Sequence, residues 1–127
     1  MDLDQAIVRK IKRKINQADT ILLSLHRGPD GDSISSNLAM KYFLENQAKE
    51  VKVVTPSQVP QEFDYLPQTN EIEHVVFTKV DYNQFDLIIL LDSASWKMIS
   101  PRFAEAGKKP SKEKVINIDH HQTNTEM

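Results

Sequence analysis

Apolar residues recur every four positions at Leu3, Ile7, Ile11 and Ile15, with Ala6 and Val8 beside them, and this spacing predicts an amphipathic helix over Leu3 to Ala18. Its other face carries Arg9, Lys10, Lys12, Arg13 and Lys14, which read most simply as a solvated helix surface. The run Thr20-Ile21-Leu22-Leu23-Ser24-Leu25 is nearly continuous in apolar side chains and precedes a loop containing Gly and Pro, as expected of a strand buried on both faces. Asp32 or Ser33 is a suitable N-cap for a second helix, in which Ile34, Leu38 and Tyr42 recur with Ala39 beside them and Phe43 and Leu44 widening the apolar face to about Gln47. Val51 to Val54 predicts a second strand, ended by Thr55-Pro56. Gln58 to Thr69 is a polar connection punctuated by proline, with room for one helical turn near Glu62 to Leu66. Three further strands are predicted at His74 to Phe77, Asp86 to Leu91 and Val115 to Ile118. Between the last two, Trp96 to Ala106 reads as helical in part, with Pro101 starting or interrupting it.

Short apolar strands alternating with helical stretches describe βαβ units. The expected fold is therefore α/β: a doubly wound, mainly parallel five-stranded sheet with helices on both faces. At 127 residues and 39% hydrophobic content the chain suits one domain. A net charge of −2 supplies no global basic field for a long duplex nucleic acid, so any nucleic-acid substrate is expected to be short. The absence of cysteine excludes disulfides, thiolate metal sites and cysteine nucleophiles, and makes a cytoplasmic setting the default expectation. No apolar run approaches the length of about 18 residues that a membrane span needs, so no membrane partner is expected. With only Gly28, Gly31 and Gly107, there is neither a dinucleotide-binding glycine motif nor a P-loop.

The chemistry concentrates where strands end. The first predicted strand runs into His26-Arg27-Gly28-Pro29-Asp30-Gly31-Asp32, the fourth into Asp92, and the fifth into Asp119-His120-His121. In an open parallel sheet the carboxyl ends of the strands share one edge, so residues distant in sequence can converge there. Carboxylates and imidazoles gathered at one place repel or compete unless cations join them. Oxygen and nitrogen donors without thiolate suit Mn²⁺, Mg²⁺, Fe²⁺ or Zn²⁺. The number of donors suits two ions about 3.5–4 Å apart, an arrangement that activates a water and neutralises a phosphoryl oxygen. If the chain is extended around Asp30 and Asp32, the two carboxylates point the same way. His120 and His121 in an extended strand point oppositely, one suited to a metal and one to a substrate phosphate.

His26-x-x-x-Asp30-x-Asp32, Asp92 after an apolar strand, and Ile118-Asp119-His120-His121 followed by Thr123-Asn124 resemble the first three motifs of the DHH phosphoesterase superfamily, which includes RecJ-like nucleases. The fuller strings around them are most similar to the branch of nano-RNases and 3′-phosphoadenosine 5′-phosphate phosphatases. The resemblance implies that His26, Asp30 and Asp92 hold one Mn²⁺ and that Asp32, Asp92 and His120 hold the other, with Asp92 bridging and Mg²⁺ as the alternative ion. It further implies catalytic parts for His121, contacting the substrate phosphate, and for Asp119, orienting the histidines. Gly28 and Ser35 depart from the branch's usual Asn and Gly. The resemblance also implies that residues 1–127 are the N-terminal portion of a longer DHH domain, because the fourth-motif aspartate and the C-terminal DHH-associated domain are not in the sequence. A truncated chain is therefore expected.

The function so implied is metal-dependent hydrolysis of short oligonucleotides, 3′-phosphoadenosine 5′-phosphate or linear or cyclic dinucleotides. The partner is then a small nucleotide, and a homodimer is compatible with the reading. Two alternatives stand beside it: a non-catalytic fragment that binds metal or nucleotide, and a pyrophosphatase- or exopolyphosphatase-like hydrolase.

Overall fold

The computed structural model describes residues 5–76, 79–91 and 114–118. Five parallel strands form one sheet: β1 (Thr20–Ser24), β2 (Glu50–Thr55), β3 (Glu73–His74), β4 (Leu87–Leu91) and β5 (Val115–Ile118), in the order β3-β2-β1-β4-β5. The α-helices among the described residues are α1 (Gln5–Gln17), ahead of β1, and α2 (Gly31–Glu45), between β1 and β2. All four pairings are parallel, and the order reverses between β1 and β4, so the expected doubly wound α/β architecture is present, with its switch point beside β1.

The apolar runs form strands because both of their faces are covered. Alternate residues Ile21, Leu23 and Leu25 join Ile34, Leu44, Val53, Ile89 and Leu91 on the helical face, where Ile11 and Ile15 of α1 also pack. Leu22, Val54, Ile88 and Leu90 face the other way, against Val75, Val80, Tyr82, Phe85 and Val115. Tyr82 is pushed well above the ordinary phenol range by that burial. At the amino edge, Asp86 Oδ2 accepts from the backbone N–H groups of Asp19 (2.9 Å) and Thr20 (3.2 Å), pinning the entry of β1 to that of β4.

The boundaries differ from expectation where pairing or capping decides them. β2 extends by one residue at each end. β3 is only Glu73–His74, because its ladder with β2 consists of the pairs Val54↔Glu73 and Thr55↔His74. The connection after β2 carries two short 3₁₀ turns, Gln61–Phe63 and Thr69–Glu71, in place of one turn at Glu62 to Leu66. Asp30, not Asp32 or Ser33, caps α2: its backbone is extended (φ −104°, ψ 178°) and its Oδ1 accepts from Ser33 N at 2.8 Å. The apolar face of α2 is also turned from the expected one. Ser33, Ile34, Asn37, Lys41 and Leu44 are buried, while Tyr42 and Phe43 are 65% and 52% exposed. A row of residues four apart gains about 40° per step on a helix of 3.6 residues per turn, so the row from Ile34 has rotated off the sheet by Tyr42. The expected helix within Trp96 to Ala106 lies outside the described residues. Among the described residues, no helix is long and apolar enough to cross a membrane.

Candidate metal centre

β1 delivers His26 to the carboxyl edge of the sheet. Leu25 N–H still donates to Val54 O (3.0 Å), so the strand holds its course up to the residue before the histidine. His26 is buried, at 8% exposure, with Nδ1 2.7 Å from Arg27 O. A carbonyl oxygen only accepts, so Nδ1 carries the proton and donates. That tautomer puts the lone pair on Nε2, and a ring held by its other N–H on a backbone carbonyl is the usual support of a metal-binding histidine.

The chain then turns through Gly28, whose φ of +59° lies in the left-handed region that glycine enters without the Cβ penalty. Gly28 N–H donates to Ser57 Oγ (3.1 Å), tying the loop after β1 to the loop after β2. Ser57 is itself held by Thr55, whose Oγ1 donates to Ser57 O (2.6 Å) and accepts from Ser57 N (3.2 Å). Gly31 opens α2 beneath Phe63, and a Cβ there would come within 3.3 Å of the Phe63 ring. A side chain between the two aspartates would therefore press on that ring, which would have to shift by a few tenths of an ångström.

Asp30 and Asp32 are both exposed at the start of α2. Asp30 spends Oδ1 on the cap, which orients its carboxylate, while Asp32 sits in the first helical turn. The expectation that both lie in one extended stretch and point alike is corrected here. Asp30 is extended but Gly31 and Asp32 are helical, so the two carboxylates are related by a helical step of about 100° per residue. Among the described residues, no three His, Asp or Glu side chains are gathered closely enough to hold a metal ion. Asp92, Asp119, His120 and His121 lie outside the described residues.

The donors that are described fit a hard or borderline divalent cation: one imidazole in its ligating tautomer and two accessible carboxylates, with no sulfur. Reasoning from sequence missed the Gly28–Ser57 clasp and the position of His74. His74 is exposed, with Nε2 3.2 Å from Pro56 O, and reaches this edge through the pairing of β3 with β2. No periodicity marks that contact in the sequence. The Thr-x-Ser that closes β2, Thr55-Pro56-Ser57, is the local sign of the clasp, being the form of a side-chain turn.

Residues 20–127 match the DHH family, N-terminal domain. An exopolyphosphatase-related protein from Bacteroides fragilis, known from its crystal structure, superposes with a TM-score of 0.77 at 28% sequence identity over 94% of this chain. The overlap is 36% of that protein, so the chain spans about a third of its length. No curated protein matches the sequence.

Proposed function

The chain belongs to the DHH family, a family of phosphoesterases, and from that premise we propose that its carboxyl edge forms a divalent-metal centre for hydrolysis of short phosphoester substrates. The observation that carries the reading is the strand register. Ser24 of β1 pairs with Leu90 of β4, and Leu90 with Asn117 of β5. Two residues beyond each member of that row the sequence has His26, Asp92 and Asp119. Three neighbouring strands therefore run out of the sheet at the same level, each directly toward a residue with ligating chemistry.

In this proposal His26, Asp30 and Asp92 hold one ion and Asp32, Asp92 and His120 the other, Mn²⁺ being the ion we expect. When bound, the pair of cations supplies an activated water and neutralises charge on the phosphoryl oxygens. The protein's own groups do the rest. The Arg27 carbonyl fixes the His26 ring, and the α2 cap fixes the Asp30 carboxylate. His121 would hold a phosphate oxygen and stabilise its developing charge, and Asp119 would orient the adjacent imidazoles. Short oligonucleotides, 3′-phosphoadenosine 5′-phosphate and dinucleotides are the proposed substrates.

A second reading, hydrolysis of pyrophosphate or polyphosphate, is favoured by the likeness to the exopolyphosphatase-related protein. Release of phosphate from pyrophosphate against release of mononucleotide from a dinucleotide separates the two. Titrating the chain with Mn²⁺ in a calorimeter tests the centre itself. Saturable binding approaching two ions is expected, with affinity at least about tenfold weaker in Asp92→Ala, a loss of about 1.4 kcal/mol. Undiminished Mn²⁺ affinity in that variant would overturn the shared-ligand site.

A further inference from the structure

The metal centre proposed above occupies the β1–β4–β5 half of the carboxyl edge, and the other half is chemically distinct. Thr55 pairs with His74, and Ser24 with Val54, so His74 lies two strands from β1, level with Leu25 and one residue short of His26. At normal strand spacing that places its backbone about 10 Å from β1. Between them lie the Gly28–Ser57 clasp and the Pro56 carbonyl. The donors on this ledge are of the kind that bind phosphate. Ser57 Oγ accepts from Gly28 N–H, which leaves its own O–H to donate. His74 donates Nε2–H to Pro56 O, and its Nδ1 becomes a second donor in the imidazolium form. Arg27 is exposed and makes no ion pair among the described residues.

The acids in β3 and in the turn just before it are paired with lysines. Glu73 is bridged to Lys52 at 3.0 Å, and Glu71 to Lys41 at 3.0 Å. Above Gly28 the space is open, with nothing within 4 Å of where a Cβ would stand. A ligand running from the metal centre over Gly28 toward β3 therefore meets Arg27, Ser57 and His74.

We propose that Arg27, Ser57 and His74 form a subsite for a second phosphate, so that the substrate is a linear chain bearing at least two phosphates, one at the metal centre and one on the β2–β3 half of the edge. The subsite rests on the proposed metal centre, and the experiment keeps the two apart. The full chain, saturated with Mn²⁺, is titrated calorimetrically with 5′-phosphorylated diadenylate, with tripolyphosphate, and with adenosine 5′-monophosphate, which has one phosphate. His74→Ala and Ser57→Ala are compared with the wild type, and Mn²⁺ affinity is measured for each.

Removal of one charge-assisted donor is expected to weaken the two-phosphate probe about tenfold in His74→Ala. Binding of the monophosphate and of Mn²⁺ should change less than about twofold. A loss confined to the diadenylate assigns the subsite to oligonucleotides, and a loss confined to tripolyphosphate assigns it to polyphosphate. Equal losses for one-phosphate and two-phosphate probes, or no loss in either variant, overturn the subsite while leaving the metal centre standing. If the wild type binds no Mn²⁺, the metal centre fails, and the subsite with it.

Discussion

Asp30 caps α2 and is also a proposed metal ligand, and the two parts can be separated by substitution. Oδ1 caps α2, and the carboxylate charge is what the proposed metal centre needs. Asparagine caps a helix about as well as aspartate, whereas alanine forfeits the cap at about 1 kcal/mol. Asp30→Asn should therefore unfold in urea within about 0.5 kcal/mol of the wild type, and Asp30→Ala about 1 kcal/mol below it. Both should bind Mn²⁺ at least about tenfold more weakly. If Asn binds Mn²⁺ as tightly as Asp, Asp30 is a cap only. The sequence marked Asp30 and Asp32 as candidate ligands, but it could not say which residue caps the helix, because Asp, Ser and Asn are nearly equivalent N-caps. The choice is made by the turn at Gly28 and the packing of Gly31 beneath Phe63, which begin the helix two residues earlier than Asp32 and three earlier than Ser33 would have done.

Helix α2 carries the greatest departure from its expected pattern. Its buried stripe includes Ser33, Asn37 and Lys41 alongside Ile34 and Leu44. Lys41 lays its stem along the core and brings Nζ out to Glu45 (2.9 Å) and Glu71 (3.0 Å), linking α2 to the 3₁₀ turn at Thr69–Glu71. Both glutamates remain substantially exposed, so losing the ammonium returns them to water at little cost. Lys41→Met, which keeps the stem, should shift unfolding in urea by less than about 1 kcal/mol. Leu44 is fully buried, and Leu44→Ala should cost about 2–5 kcal/mol through lost transfer energy and the cavity left behind. A Lys41→Met loss as large as that of Leu44→Ala would show that the ion pairs, and not the apolar contacts, fasten α2 to the sheet.

Across the whole molecule, Asp86 couples stability to pH. Its carboxyl is held below the ordinary value of 3.8, first by the backbone N–H of Asp19 and then by that of Thr20, with the Thr20 side chain and Lys114 also contributing. The unfolded chain takes up this proton more readily than the folded one as pH falls. The contribution is therefore intact above the ordinary carboxylate value and is lost as pH drops through the lower folded value. The melting temperature of the wild type should fall more steeply than that of Asp86→Asn on going from about pH 5 to about pH 3. Parallel curves would mean that Asp86 only positions the amino edge. The two ends of the sheet thus divide the work: Asp86 aligns the strands at their entry, and the same register brings their exits level at the candidate site.

By itself, the sequence determined which segments become strands and that they lie in a parallel sheet, because runs such as Ile21 to Leu23 and Leu87 to Leu91 are apolar on both faces and only a doubly covered sheet accommodates them. It also carried the motif residues from His26 to His121, since their chemistry is written in local strings. Strand order, the level at which β1, β4 and β5 end, the cap of α2 and the nearness of His74 to Ser57 and Gly28 were decided only in the tertiary structure. These depend on which strands pair and in what register, and that is settled by contacts between residues tens of positions apart whose individual identities leave several pairings open.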